Sequence, residues 1–261
     1  MPAPFDGIAG QYDHHFSYTL VGKAQRDIVW QITEKYLPKD PVNILEINCG
    51  TGVDALWLAN KGHQVVATDA SAAMLAETVA KTKNITQVST CLWDLTQALP
   101  APIGKQDVVF SNFGGLNCLG KEQLTALFRK IDSTLNAGGV TVLVIMGRFC
   151  LMESLNFLLT GKWGSIFRRT KKQVVSLSPI DSVETYYYMP HEIKNMLPDH
   201  WKCISVQAVG TVIPPSYLNP ICVKYPRIFS LLVRLDRICR KLPFAAYASD
   251  HYCIVIEKQH T

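Results

Sequence analysis

Ile44-Leu-Glu-Ile-Asn-Cys-Gly-Thr-Gly52 decides how this chain is read. Val42 to Ile47 is dominated by apolar residues and reads as a buried strand; Cys49-Gly-Thr-Gly52 reads as a tight turn. Val53 to Lys61 then reads as a helix ended by Gly62. A glycine-bearing turn between a buried strand and a helix lets backbone approach a nucleotide-like ligand closely. The helix start adds free N–H groups. Gln64 to Asp69 is the next strand, and Asp69 ends it, where a carboxylate can accept from both hydroxyls of a ribose.

The same alternation extends outward from this unit. Ser71 is a candidate cap for a helix over Ala72–Thr82, because its hydroxyl can accept a free first-turn N–H. Gln87–Cys91 and Asp107–Ser111 are a third and fourth strand, and Gln123–Leu135 is a helix closed by Ala137-Gly138-Gly139. Val140–Met146 is continuously apolar, as expected of a strand covered on both faces. Upstream, Lys23–Leu37 reads as a helix with Ile28, Val29, Ile32 and Tyr36 on one side, stopped by Pro38. Such alternation implies right-handed crossovers and a parallel, doubly wound sheet. After Met146 the pattern changes to a helix around Cys150–Leu159, a basic stretch at Arg168–Lys172, and a hairpin pairing Gln173–Ser178 with Ser182–Met189. Two late strands, Lys202–Ile213 and His251–Glu257, flank a helix from Tyr225 to Lys241.

Composition narrows the class. The 261 residues are 48% hydrophobic and 18% charged, which suits one globular α/β domain with an elaboration. No apolar run is long enough to span a bilayer: Val140 to Leu159 is broken by Arg148 and Glu153. The N-terminus lacks the pattern of a secretory signal. Eight scattered cysteines, without zinc spacing, fit reduced thiols in a cytoplasmic setting, and no metal site is expected. Residues 1–146 hold 11 Lys+Arg against 13 Asp+Glu, and residues 147–261 hold 15 against 8. The basic half points to an anionic partner or membrane surface, or to a solvated basic face.

The glycine turn and Asp69 leave two cofactors open, S-adenosylmethionine (SAM) or a nicotinamide dinucleotide. Three features favour SAM. The turn lacks the full GxGxxG spacing, since Val53, Asp54 and Ala55 follow Gly52. Glu46 lies inside the strand, placed to orient the turn or meet a methionyl ammonium. Asp94, after the third strand, is placed to accept from an adenine amine.

The segments ILEINCGTG, VVATDAS, CLWDL, DVVFSNFGGLN and LNAGGVTVLVIM follow one another in the order and spacing of a known family. Residues 1–146 and the final strand resemble the class I SAM-dependent methyltransferases, especially the small-molecule, ubiquinone/menaquinone-biosynthesis-like branch. Phe5-Asp6-Gly-Ile-Ala-Gly-Gln-Tyr12-Asp13 resembles the family's N-terminal segment, which folds over the cofactor. The resemblance implies a Rossmann-like, seven-stranded, mostly parallel sheet with an antiparallel last strand and helices on both faces. It also implies a lid or substrate insertion between strands five and six.

As site residues, the resemblance implies Glu46, Gly50 and Gly52 at the methionine portion and Asp69 at the ribose. Ala70 and Met74 fall near the adenine, with Asp94 and Leu95 at its edge. Ser111, Asn112 and Phe113 fall beside the sulfonium, and Tyr12 covers the pocket. Asn48 departs from the family's E-x-G-x-G-x-G, at a position where asparagine tolerates unusual backbone angles. The single domain is expected to divide into N-terminal cap helices (1–40), a SAM-binding core (41–146), a substrate insertion (147–200) and final strands with an amphipathic helix (201–261).

The acceptor is less legible. A small, lipophilic or aromatic molecule methylated on oxygen is the main reading, and no nucleic-acid partner is expected. Ser111-Asn-Phe-Gly114 lacks the N-P-P-Y signature of nucleic-acid amine methylation, and no RNA-binding module is evident. RNA or protein methylation, a non-catalytic SAM-binding scaffold and a nicotinamide oxidoreductase are the competing readings. His14 and His15, in the covering segment, are the candidate bases; the plainer reading is a pair of surface histidines. Trp163 and Tyr186–Tyr188 are candidates for an aromatic acceptor pocket, although at least one of the tyrosines is expected to pack in the core. On a helical wheel Ile228, Leu231, Leu232, Leu235, Ile238 and Leu242 share one side, beside a stripe of Arg227, Arg234, Arg237 and Lys241. That side is expected to pack on the domain; the alternative for 225–242 is peripheral membrane contact.

Overall fold

The computed structural model describes residues 3, 5–101, 103–170, 173–176 and 182–260. Seven strands form one sheet: β1 (Asn43–Glu46), β2 (Gln64–Asp69), β3 (Val88–Leu92), β4 (Gln106–Ser111), β5 (Leu135–Met146), β8 (Trp201–Val209) and β9 (His251–Lys258). Their spatial order is β3-β2-β1-β4-β5-β9-β8. β1 to β5 pair in parallel, whereas β9 runs antiparallel to both β5 and β8. The short hairpin of β6 (Gln173–Ser176) and β7 (Ser182–Thr185) stands apart, between β5 and β8 in sequence. The stretch between them, residues 177–181, lies outside the described residues, and the Tyr186–Met189 stretch expected to continue the hairpin is not strand.

Period-two burial explains why the central strands read as unbroken apolar runs. Ile44, Val142, Val144, Cys253 and Val255 face one core, with Val21, Ile28, Val29 and Ile32 of α2 (Leu20–Thr33) and Leu58 of α3 (Val53–Asn60). Leu45, Leu143, Ile145, Ile254 and Ile256 face the other, with Leu124, Leu127, Phe128 and Ile131 of α5 (Lys121–Thr134). Each strand residue therefore goes to the face opposite its neighbours', and helices cover both faces. α1 (Ala9–Tyr12) begins the N-terminal cover, and α4 (Ala72–Thr82) packs beside β3.

Local chemistry sets several boundaries. Ser71 Oγ accepts from Met74 N (3.1 Å) and starts α4 as expected. α2 begins at Leu20 rather than Lys23, because Thr19 Oγ1 accepts from Gly22 N (3.0 Å). Ala137-Gly138-Gly139 is an irregularity within β5, not a loop before it: Gln106 pairs with Leu135, and Val108 already pairs with Val140. Between β5 and β8 lie α6 (Leu151–Leu159) and α7 (Pro190–Lys194). Ahead of β9 lie α8 (Asn219–Lys224), which the sequence reading missed, and α9 (Pro226–Cys239). Among the described residues no helix is long and apolar enough to cross a membrane.

The expectation for α9 is corrected. Ile228, Leu231, Leu235, Ile238 and Leu242 are exposed, and only Leu232 of the six is half-buried. α9 rests on the domain through Phe229 and Asp236 instead. Asp236 Oδ1 accepts from Val212 N (2.9 Å), so a polar anchor helps set which side faces inward.

Candidate active site

The strand order reverses between β1 and β4, and a cavity of about 920 Å³ opens at the carboxyl ends of the strands there. Its walls come from the turn after β1 (Asn48, Gly50), the end of β2 (Asp69, Ala70), the chain after β3 (Asp94, Leu95) and the chain after β4 (Phe113). Met146 ends β5 beside it and His251 starts β9 beside it. Loops at strand ends thus bring together residues as far apart in sequence as Asn48 and His251.

At the glycine-turn end, Asp69 Oδ2 accepts from Gly50 N (2.8 Å) and Oδ1 from Ser71 N (2.9 Å). Each oxygen keeps a free lone pair, and burial raises the carboxyl above its ordinary range against the lowering effect of these N–H groups. Gly50 adopts φ +56°, and a Cβ built on it meets nothing within 4 Å, which makes it the open side of the turn. Gly52 has a different task. At φ +75° its Cβ would sit 2.6 Å from Thr78 Cγ2, so its hydrogen lets α4 lie against the turn, and it does not line the cavity. Asp94 is tied by the Thr96 amide and hydroxyl, both at 2.8 Å, and lines the cavity with Leu95, Ala70 and Met74.

Glu46 does not reach the cavity surface. It is fully buried, its Oε2 has no partner among the described residues, and burial holds its carboxyl well above the usual range. Asn48 replaces the family's glycine at φ +49° and spans the gap between the two central strands. Its Nδ2 donates to Asn112 O (3.0 Å) and its Oδ1 accepts from Ser111 Oγ (2.8 Å). Ser111 and Asn112 therefore act beneath the cavity wall. Asn112 Nδ2 also donates to Asp54 Oδ2 (3.1 Å), which pairs with Arg26; Trp30 Nε1 donates to Asp54 Oδ1 (2.6 Å). A second, polar void of about 30 Å³ lies among Tyr12, Arg26, Asn48, Thr51 and Asn112. Arg26 Nε is buried there without a partner among the described residues.

The N-terminal segment lies over this end and is fastened by its two aspartates. Asp6 Oδ1 accepts from Ser71 Oγ (2.5 Å). Asp13 accepts from Thr51 Oγ1 and from Lys81 Nζ, both at 2.6 Å. Tyr12 and Phe16 then form part of the wall, and burial pushes the Tyr12 phenol up to about 12. His14 and His15 are exposed and do not line the cavity, so the structure gives no support to either as the base. They occupy the outer side of the turn that points Tyr12 and Phe16 inward.

The opposite end holds a cluster that the sequence reading missed. His251 is 6% exposed, lines the cavity, and places Nδ1 3.3 Å from Asp250 Oδ2. Asp250 also receives Arg169 Nη2 (2.7 Å) and Gln25 Nε2 (3.0 Å). Burial alone would raise its carboxyl, but opposing His251 and Arg169 hold it far below the usual carboxylate range. Arg169 in turn donates to Glu153 Oε2 (2.7 Å) and lies over the Tyr187 ring (5.3 Å). Tyr187 lines the cavity; Tyr188 donates to Leu119 O (2.6 Å) in the core; Trp163 is 69% exposed and lies away from the cavity. Phe113 keeps φ +38°, unusual for a bulky residue, and is clamped edge-on by Phe16 (5.6 Å) and His251 (5.3 Å). The one local signal for His251 was its place at the start of the last strand, beside the end of β5.

Residues 44–139 match the family described as methyltransferase domain. The chain is 32% identical to an 18S rRNA (guanine-N(7))-methyltransferase from Bos taurus, over 41% of its own length and 40% of the relative's. It is 27% identical to protein arginine N-methyltransferase 1.1 from Arabidopsis thaliana, over 46% of its length and 30% of the relative's. The chain thus spans two fifths or less of these curated relatives. They act on RNA and protein by name, so they lend no support to the expectation that nucleic acid is excluded. Among solved structures, an S-adenosylmethionine-dependent methyltransferase from Mesorhizobium loti superposes with a TM-score of 0.57 at 16% identity, covering 87% of this chain and 96% of that one. The match over residues 44–139 and the shared sheet make this chain similar to S-adenosylmethionine-dependent methyltransferases in that region and in fold.

Proposed function

We propose that the protein transfers a methyl group from SAM to a small lipophilic or aromatic acceptor, with oxygen favoured as the acceptor atom. The observation that carries this is the division of one cavity into two ends of different chemistry. Its volume lies at the upper end of the roughly 300–1,000 Å³ range of single-ligand pockets, which suits a cofactor and an acceptor side by side.

The residues at the glycine turn fit the cofactor. Asp69 offers free lone pairs to ribose hydroxyls, and the open face of Gly50 leaves room for close approach. The unpartnered Oε2 of Glu46 suits an ammonium, and the void beside Arg26 Nε suits a carboxylate. When bound, SAM supplies an electrophilic methyl on a sulfonium, ready for in-line displacement. Phe113, Phe16, Met146 and Tyr187 form an apolar wall that keeps water away and holds a flat acceptor. His251 receives the acceptor's proton on Nε2, which none of the described residues bonds. Asp250 behind Nδ1 fixes the ring and stabilises the imidazolium that forms. A cytoplasmic setting, expected from the cysteine usage, is part of the same reading.

Isothermal titration with S-adenosylhomocysteine, NAD and NADP tests the cofactor. Binding of the first alone is the expected result, and preference for a nicotinamide cofactor would overturn the reading. Radiolabelled SAM offered with lipid extract, RNA and protein pools tests the acceptor, with label expected in the lipid extract. A second reading, methylation of RNA or protein, is supported by the names of the curated relatives and by the basic half of the chain. Label in either of those pools would establish it instead.

A further inference from the structure

Residues 221–244 carry an apolar ridge that no described residue covers. At 3.6 residues per turn, the inward sector of α9 holds Phe229, Val233 and Asp236, and Arg240 Nη2 adds a bond to Gln31 Oε1 of α2 (3.1 Å). The next sector holds Ile228, Leu231, Leu235 and Ile238, which are 57%, 55%, 42% and 68% exposed. Leu242 and Phe244 extend the line, and Ile221 and Val223 of α8 are exposed beside it. Single exposed apolar residues are ordinary, but a contiguous ridge of this kind marks a contact surface.

Charge identifies what covers it. From Pro214 to Phe244 the chain has six Lys and Arg residues and one acid, Asp236, which is fully buried against the domain. Arg227, Arg234, Arg237 and Lys241 form an exposed stripe alongside the ridge, and no exposed carboxylate of this segment offsets them. Asp27 of α2, which feels the charge of Arg237, is the one acid that faces this border from the helix beneath. An apolar stripe with a cationic border matches acyl chains beneath anionic headgroups on both counts. A second exposed ridge, Leu158, Leu159, Trp163 and Phe167, runs directly into Arg168 and Arg169 on the cavity wall. Tyr217, just ahead of α8, lines the same cavity.

We infer that α8 and α9 dock the protein on an anionic lipid bilayer, which supplies the cavity with a membrane-dissolved acceptor. The docking stands on the ridge alone; only the acceptor clause rests on the methyltransferase reading.

The full chain is sedimented with sucrose-loaded vesicles of phosphatidylcholine, with and without phosphatidylglycerol. It pellets with the anionic vesicles and stays in the supernatant with neutral ones. Binding falls at least about tenfold as rising salt shortens the Debye length from about 10 Å to about 3 Å. The quadruple variant Ile228→Ser, Leu231→Ser, Leu235→Ser, Ile238→Ser lowers anionic-vesicle binding about tenfold or more, with its melting temperature and S-adenosylhomocysteine affinity unchanged. Arg227→Gln with Arg234→Gln and Arg237→Gln removes the preference for anionic vesicles. No pelleting with phosphatidylglycerol at low salt overturns the proposal, as does equal pelleting of the quadruple variant. A dimer in lipid-free solution that the same four changes dissolve assigns the ridge to a second copy of the chain and overturns it too. Failure of the wild type to bind S-adenosylhomocysteine would sink the cofactor reading while leaving the vesicle result intact.

Discussion

The imidazole of His251 meets the ring of Phe113 edge to face, with centroids 5.3 Å apart. One residue begins the last strand of the sheet and the other follows its central strand, so the contact joins the two sides of the cavity. Phe113 holds its left-handed backbone under this clamp, and Asp250 Oδ2 stands 3.3 Å behind His251 Nδ1. A carboxylate–imidazole pair aimed across an aromatic floor suits removal of a proton from a flat acceptor.

His251→Gln is expected to lower kcat by about 10²–10⁴-fold, the usual yield of a general base. Affinity for S-adenosylhomocysteine stays unchanged, because the substituted side chain stands at the far end of the cavity from the glycine turn. Single-turnover kinetics with the identified acceptor, paired with titration, check both halves. A parallel fall in cofactor affinity would instead make His251 a packing residue. His14→Gln and His15→Gln, on the outer surface, leave turnover at the wild-type value.

Asp69→Ala removes a carboxylate that holds the Gly50 and Ser71 amides while presenting its remaining lone pairs to the cavity. Hydrogen bonds to a charged group contribute about 1.5–3 kcal/mol each, so S-adenosylhomocysteine affinity drops on the order of 10- to 100-fold. Titration calorimetry reads this directly. Asp94→Ala, whose carboxylate is solvated and already turned to Thr96, lowers affinity less.

Asn48 and Gly115 are coupled through space. A Cβ on Gly115 would lie 2.4 Å from Asn48 Cγ, so Gly115→Ala alone costs about 1–3 kcal/mol by overpacking. Asn48→Gly alone forfeits the bridges to Ser111 and Asn112, at about 1 kcal/mol each. The double variant is expected to be more stable than the sum of its parts, because the clash disappears with the amide. A double-mutant cycle by urea unfolding measures the coupling, and strict additivity would show the contact to be unimportant.

Acid stability carries a signature of Asp132. Burial raises its carboxyl, but hydrogen bonds from His200 (2.8 Å), Lys258 and Trp201 (2.9 Å) outweigh it and bring the pKa down to about 2 from 3.8. The folded value is below the unfolded one, so its contribution is fully present above about pH 4 and is lost as pH falls through about 2. The side chain is partly exposed, so solvent screening keeps the effect modest. Unfolding followed by circular dichroism should show a shallower acid limb in Asp132→Asn between those limits.

Much of the core was legible because local signals agreed with the global arrangement. The strand of Val140–Met146 read as doubly covered because neighbouring residues go to opposite cores, and Ser71 advertised its cap by type alone. The glycine turn and Asp69 lie within one short stretch, and the structure places Gly50 and Asp69 on the same cavity wall. The acceptor end was not legible. His251, Asp250, Arg169 and Gln25 are scattered over more than 220 positions, and they meet only when α2, the segment after α6 and the start of β9 come together in the fold. Gly52 was assigned to the ligand when its neighbour is Thr78, since a sequence does not reveal which side of a turn a helix will occupy. α9 misled in a simpler way: a hydrophobic stripe shows that a helix has a preferred side, and the buried Asp236 helped decide which side that was.

On the proposed function, the aspartate fastenings at Ser71, Thr51 and Lys81 give the catalytic cycle a clock. Tyr12 and Phe16 of the segment they hold line the glycine-turn end, so release of spent cofactor is expected to be coupled to parting of the Asp13 pair. Exchange then becomes an ionic-strength-dependent event, separate from the chemical step. The dwell time of S-adenosylhomocysteine, followed by stopped-flow displacement, shortens as salt rises, while the rate of methyl transfer in a single turnover does not change.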